Sequence, residues 1–298
     1  MKIRNNVSDR IFIITNYTIL IILFFIIAYP LVYVLSASIS SPTAVNAGRM
    51  WLLPVDITFE GFTRISQNIE IWIGYRNTVL YTIIGTLYNL LMTIPCAYAL
   101  SVKNLVGRTV ITKIFLFTMF FNGGLIATYF LNKDLSLVGN PLVLILPTGA
   151  SVMHIIISRT FFTGTIPGEL VEAAEIDGCS PAYTFIRIVV PLSKPIIAII
   201  ALYCAVGHWN SYFSAMIYLS DRHTFPLQLF LREILVQQQM SAAMMEDMED
   251  LQYLVEKQRI AELVKYSTMI VSSLPLLIVY PFLQKFFVKG IMIGSIKG

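Results

Sequence analysis

Charge is scarce in this 298-residue chain: Lys, Arg, Asp and Glu together make 13% of it, against about a quarter in an ordinary soluble domain. Apolar residues make 56%, too many for a water-facing skin around one core, and the ordinary soluble class is excluded. Cysteine is also scarce. Cys96, Cys179 and Cys204 are odd in number, so no disulfide framework is expected. No G-x-x-x-x-G-K-[ST] loop occurs, which excludes ATP hydrolysis by the P-loop route within this chain. The three histidines, His154, His208 and His223, are far apart in sequence and form no H-E-x-x-H pair, so no metal is expected. The net charge of +4 is spread over loop ends with no basic patch interleaved with aromatics, and nucleic acid is not an expected partner.

The charges are also clumped. No Asp, Glu, Lys or Arg occurs between Arg10 and Arg49, Arg76 and Lys103, Lys113 and Lys133, Asp134 and Arg159, Lys194 and Asp221, or Lys265 and Lys285. Each window holds at least the roughly 18 uncharged residues that cross about 30 Å of hydrocarbon as a helix. The spacing predicts an all-α, polytopic membrane protein with spans near 11–36, 77–101, 111–131, 140–162, 194–219 and 265–287. The fourth is interrupted by Pro147, Thr148, Gly149 and Ser151, which a span tolerates where neighbouring helices satisfy its backbone. The first apolar run, Ile11 to Leu35, exceeds the 7–15 residues of a signal-peptide core and reads as a retained anchor.

Six spans put both termini on one side. Lys2, Arg4 and Arg10 precede the first span, and Lys103, Arg108 and Lys113 crowd a short loop, which marks that side as the cytoplasm. Residues 1–10 are then a cytoplasmic N-terminus, 11–289 a transmembrane domain and 290–298 a cytoplasmic tail.

Between the fourth and fifth spans, residues 167–193 read as helix, sharp turn, helix. Pro167 suits a first helical turn, and Glu169 and Glu172 complement the positive end of the helix dipole. Gly178 stops that helix, and Ser180 with Pro181 offers a cap and first-turn residue for a second one. Small residues Ala173, Ala174 and Gly178, flanked by Glu172, Glu175 and Asp177, leave a surface for close packing by another protein. A plain amphipathic interface helix, with acids that serve only the dipole, accounts for the same residues.

The run Glu172, Ala173, Ala174, Asp177, Gly178, then Pro191, Leu192 and Pro195, resembles the EAA loop of binding-protein-dependent ABC importer permeases. Cys179 stands where that pattern usually has Ala. The pieces FFNGGLIATYF (120–130), SRTFF (158–162), AVGHWNSYFSAMIYL (205–219) and FPLQLFLREIL (225–235) resemble its carbohydrate-uptake branch, and the closing GIMIGSIKG resembles the tail of the maltose-type second permease.

The resemblance implies a type I ABC importer permease fold in a bacterial-type plasma membrane. It implies a second homologous permease, two ATPase subunits that bind ATP and Mg, an extracellular solute-binding protein and a carbohydrate, an oligosaccharide in that branch, as partners. No cofactor is expected in this chain, which would be a non-catalytic subunit surrounded by membrane lipid. Glu172 would face basic groups of the ATPase, Ala173 and Ala174 would pack in its cleft, Gly178 would make the turn, and Gly294, Ser295, Ile296, Lys297 and Gly298 would reach toward the ATPase interface.

Polar groups inside the spans are the other candidates, because a buried one without partners costs several kcal/mol. His208, Ser211 and Tyr212 are expected to share a helical face with Cys204, with Asn210 and Ser214 on the adjacent stripe. With Trp209, and with Asn122, Gly123 and Gly124 of the third span, they line a translocation path on one reading and hold helices together on the other. His154 reads as a satisfied packing residue. Residues 240–262, with the acidic run Glu246 to Asp250, read first as a solvated helical face and second as a surface that receives a binding protein. The rival classes are an ion-independent carrier and an intramembrane enzyme acting without an ATPase, and neither explains the turn at Gly178.

Overall fold

The computed structural model describes residues 7–243, 259, 261–278, 280 and 281. Helices make up its regular structure, and no strand occurs among the described residues. The chain divides into two units, one from residues 1–68 and 233–274, the other from 69–232 and 275–298.

In the first unit, α1 (Val7–Ser38) carries the long apolar run. A short α2 (Pro42–Asn46) follows, capped by the Ser41 hydroxyl, which accepts from the Ala44 N–H at 3.3 Å. Residues after α2 turn back onto the end of α1, where Ala37, Val45 and Met50 form a small core beside Tyr33 and Tyr266. The amphipathic α3 (Glu60–Gln67) buries Gly61 and Ile65.

The close approach of α3 to residues 263–267 depends on Gly61. A Cβ there would stand 2.6 Å from the Leu263 carbonyl oxygen and 2.4 Å from the Ser267 Oγ. That hydroxyl in turn donates to the Ser38 carbonyl at 3.2 Å, and Arg259 pairs with Glu60 at 3.2 Å. Gly61→Ala is expected to cost about 1–3 kcal/mol by overpacking against backbone, read as a lower melting temperature of the purified protein.

The second unit is organised by α4 (Ile69–Ser101), whose 33 residues exceed what the hydrocarbon layer needs. One face of α4 carries Gly74, Asn77, Thr78, Gly85, Asn89 and Thr93, all buried, so small and polar residues let neighbours come close. Then come α5 (Arg108–Phe120), α6 (Gly124–Asp134), two 3-10 turns at Pro141–Leu144 and Leu146–Thr148, and α7 (Val152–Thr165). They continue with α8 (Gly168–Ile176), α9 (Pro181–Thr184), a π-helical turn Phe185–Val189, α10 (Val190–Leu192), α11 (Lys194–Trp209), α12 (Phe213–Tyr218) and the first residues of α13 (Leu227–Ala243), which from Glu233 on belongs to the first unit. Helix α4 packs against α7 and α11. The core between them holds Ile94, Ala97, Leu100, Ile155, Phe162 and Val189, with Tyr98 stacked on Phe185 at 5.1 Å.

At the N-terminal end of α4, the 221–227 segment is tied down by polar bonds. The Arg222 guanidinium donates twice to Glu70, at 2.7 and 3.0 Å. The Asn77 amide donates to the His223 and Phe225 carbonyls, and the Thr78 hydroxyl accepts from the Leu227 N–H at 2.8 Å.

Three helices, α1, α4 and α14 (Ala261–Ile278), are long and apolar enough to cross a membrane, and three bent pairs bring the count to as many as six among the described residues. The expected third span is not one helix: α5 and α6 meet at 113°. Glycine supplies the bend, since Gly124 has φ +73° and its N–H bonds the Asn122 Oδ1 at 3.0 Å. The fourth bends by 44° between Thr148 and Val152, around the Pro147–Ser151 interruption. The expected fifth helix does not continue to residue 219. It ends at Trp209, where the Asn210 side chain donates to the Val206 carbonyl at 2.9 Å, and α12 resumes after a break. Of the expected sixth span, residues 282–287 lie outside the described residues, as do most of 240–262 and the tail from Gly294 to Gly298.

Candidate functional site

Two places in the second unit carry unusual groupings: a projecting elbow and a polar cavity.

The elbow is built by a glycine cap. At the end of α8 the Cys179 N–H bonds the Ala174 carbonyl at 2.9 Å and the Gly178 N–H bonds the Glu175 carbonyl at 3.0 Å. This paired closure requires a left-handed residue, and Gly178 has φ +77°. Ser180 then starts α9 by accepting from the Tyr183 N–H at 3.3 Å. Pro167 precedes α8 as its cap residue, one position before its first turn. The segment Pro181–Leu192 meets α11 at 82° around Ser193, whose buried hydroxyl donates to the Val189 carbonyl at 2.7 Å. A π-helical turn immediately before that bend widens the helix where its direction changes.

Glu172, Ala173, Glu175, Asp177 and Gly178 are exposed, as are Pro191 and Leu192 beside the second bend. Ala174 is turned into the protein's own interior at 5% exposure, so of the two alanines only Ala173 is on the accessible side. Exposed apolar residues, unremarked in the sequence, stand among these acids: Ile176 at 86%, with Tyr183 and Ile186 nearby in the chain. The elbow thus sets exposed apolar side chains beside exposed carboxylates.

The cavity has a volume of about 370 Å³ and lies where α4, α7 and α11 converge. Its lining includes Asn89, Thr148, Ser151, His154, Tyr203 and Cys204, and the run from Asn210 to Ser214 with His208. One polar chain ties its walls together. The His208 Nε2–H donates to the Asn89 Oδ1 at 2.7 Å, while the Asn89 amide nitrogen donates to the Thr148 carbonyl. The imidazole lies against Gly85, where any Cβ would fall within 2.4–2.7 Å of three ring atoms.

His154, expected as a packing residue, is packed as expected and also lines the cavity. Its Nδ1 lies 3.7 Å from the Cys204 Sγ and its ring stacks on Tyr203. Sequence reasoning also missed Asn89. The signal was present as an amide in the middle of a charge-free window, but charge-free windows are found by counting ionisable groups only. Of the expected path residues, His208, Asn210 and Tyr212 come together here. Trp209 does not line the cavity; it is buried with its ring 6.0 Å from Tyr75. Asn122 is exposed at the α5–α6 bend and is also absent from the lining. The shared helical face of Cys204, His208, Ser211 and Tyr212 is lost where α11 ends, yet the break still turns Ser211 and Tyr212 toward the same space.

Among the described residues no group of three or more His, Cys, Asp and Glu is placed to hold a metal ion. Among the described residues the cavity lining contains no Asp or Glu. Such a set supplies hydrogen bonds and aromatic faces to a polar molecule.

A family model described as "Binding-protein-dependent transport system inner membrane component" matches residues 71–293. The chain is 35% identical to the polygalacturonan/rhamnogalacturonan transport system permease protein YtcP of Bacillus subtilis (strain 168), over 98% of this chain and 100% of that one. It is 34% identical to Protein LplC of the same organism, over 99% of this chain and 97% of the relative. In three dimensions it resembles a chain from the crystal structure of a bacterial ABC transporter involved in the import of the acidic polysaccharide alginate. The TM-score is 0.83 at 36% identity, covering 96% of this chain and 100% of that one.

Proposed function

This chain belongs to the family of binding-protein-dependent transport system inner membrane components, and we propose that it is one of two homologous permease subunits of an ATP-driven oligosaccharide importer. The observation that carries the reading is the elbow, an acid-flanked, glycine-capped projection with an apolar tip, in a chain whose similarity to sugar-transport permeases runs end to end.

In the proposed arrangement the six spans are α1, α4, the bent pair α5 and α6, the bent pair of Pro141–Thr148 with α7, α11 continued by α12, and α14, with both termini and residues 167–193 in the cytoplasm. Two ATPase subunits bind ATP and Mg. One of them receives Glu172, Ala173 and Asp177 in a cleft, with Ile176 at the centre of the contact, and the tail from Gly294 to Gly298 reaches toward the same subunits. An external binding protein delivers the sugar. When nucleotide closes the ATPases, the elbow moves with them, and the π-helical turn and the bend at Ser193 pass that motion to α11, which carries one wall of the cavity. Sugar hydroxyls meet the amide and hydroxyl groups of Asn210, Ser211 and Ser214 and the face of Tyr212.

The test is uptake in inverted and right-side-out membrane vesicles that hold the whole transporter. The reading expects sugar accumulation that requires ATP on the elbow side and binding protein on the other. Asn210→Ala leaves the cap of α11 to water, and is expected to raise the KM for sugar several-fold with the subunits still co-purifying. Uptake that persists without ATP would instead favour a carrier, and unchanged kinetics in the variant would remove Asn210 from the path.

A further inference from the structure

We propose that Tyr203 and Gly207 of α11 form a subsite of the cavity that takes one sugar ring, laid against the Tyr203 side chain over the space that Gly207 leaves. The proposal rests on the importer reading and names where in the same cavity this chain holds its cargo.

Packing accounts for both glycines of α4 but not for Gly207 of α11. A Cβ at Gly74 would stand 2.9 Å from the Leu227 Cα, and one at Gly85 would stand 2.4 Å from the His208 Nε2. At Gly207 nothing among the described residues lies within 4 Å of a Cβ. The residue nevertheless sits inside a helix, where glycine is less stable than alanine because it gives up more backbone freedom on folding. A position that loses stability without gaining a contact keeps its space for something outside the chain. That space opens into the cavity, since Gly207 is one of the lining residues.

The groups around it match a sugar ring. Tyr203 stands four residues earlier, one turn along the same face of α11, and it too lines the cavity. The His154 imidazole backs its ring, with centroids 5.8 Å apart and planes 15° from parallel, and the Nδ1 of that imidazole lies 3.7 Å from the Cys204 Sγ. Held from that side, Tyr203 still keeps 52% of its surface exposed. A sugar ring carries C–H groups on its faces and hydroxyls on its rim. The C–H groups leave water favourably against an aromatic face. The hydroxyls need donors and acceptors, which Asn210 and Ser211 place just beyond Gly207 in the same lining. A cavity of about 370 Å³ is near the lower end of the roughly 300–1,000 Å³ that small-molecule sites span, which suits a piece of an oligosaccharide rather than its whole length.

The experiment uses the complete transporter with its binding protein in proteoliposomes, and counts tritiated sugar moved per ATP hydrolysed, with maltotriose and trigalacturonate as the two probes. Gly207→Ala is expected to keep the two permease subunits together and to melt no lower than the wild type, because alanine is the better helix former and its methyl group meets no neighbour. Its sugar-per-ATP ratio is expected to fall by about tenfold, since a methyl group in a fitted space excludes part of the ring. Tyr203→Leu is expected to lower the ratio by a similar factor, and Tyr203→Phe to keep most of it, because the aromatic ring and not the hydroxyl makes the contact. If Gly207→Ala lowers the melting temperature or separates the subunits, the space belongs to a protein contact and the subsite is overturned. It is overturned equally if the ratio is unchanged in both Gly207→Ala and Tyr203→Leu. If the wild-type transporter moves neither probe and the binding protein leaves hydrolysis unchanged, the importer reading fails and the subsite with it.

Discussion

Gly85→Ala is expected to abolish uptake and to lower the melting temperature of the purified transporter. A Cβ at that position would stand 2.4 Å from the Nε2, 2.5 Å from the Cε1 and 2.7 Å from the Cδ2 of His208. The imidazole is buried at 8% exposure and holds Asn89 at 2.7 Å, so it cannot yield without breaking the bond that joins α4 to α11. Overpacking costs about 1–3 kcal/mol, and a buried Asn left without its partner costs about as much again. The double variant Gly85→Ala with His208→Ala removes the clash. It is therefore expected to melt higher than Gly85→Ala alone, a departure from additivity that only neighbouring residues show. Wild-type melting and uptake in Gly85→Ala would mean that α4 and α11 do not meet at this point.

The second large effect is expected at Gly178, and it separates conformation from bulk. Nothing lies within 4 Å of a Cβ placed there, so a side chain meets open space and only the backbone angle is at stake. A β-branched residue at φ +77° costs about 1–2 kcal/mol or more, whereas asparagine adopts the left-handed region readily. Gly178→Val is accordingly expected to reduce sugar-stimulated ATP hydrolysis by about an order of magnitude or more, and Gly178→Asn to keep most of it. If Val and Asn behave alike, the turn is not what shapes the coupling surface.

The elbow was legible in the sequence because its grammar is local. Proline before a helix, glycine after it, and Ser-Pro before the next one each act within four residues, and the hydrogen bonds at Gly178 and Ser180 follow from them. The cavity was only half legible. His208, Asn210 and Tyr212 announce themselves as polar groups in an apolar window, but their meeting with Asn89 and His154 depends on which faces of α4, α7 and α11 pack together. No periodicity in one helix reports that.

The bent spans show a different limit. Counting uncharged residues measures whether a segment tolerates hydrocarbon, not whether it is straight, and Gly123 with Gly124 or Asn210 with Ser211 breaks a helix without adding any charge. The exposed Ile176 was overlooked for a related reason: one apolar residue in a charged loop has no pattern until the fold shows it standing at the tip.

The most direct test of the central claim is affinity purification of this chain from its native membrane in mild detergent, followed by identification of the bound proteins and an ATPase assay. The account predicts a second permease and a P-loop ATPase in the complex, with hydrolysis stimulated by a sugar-loaded binding protein and lost in Gly178→Val. A chain recovered alone, stable and without associated ATPase activity, would contradict it.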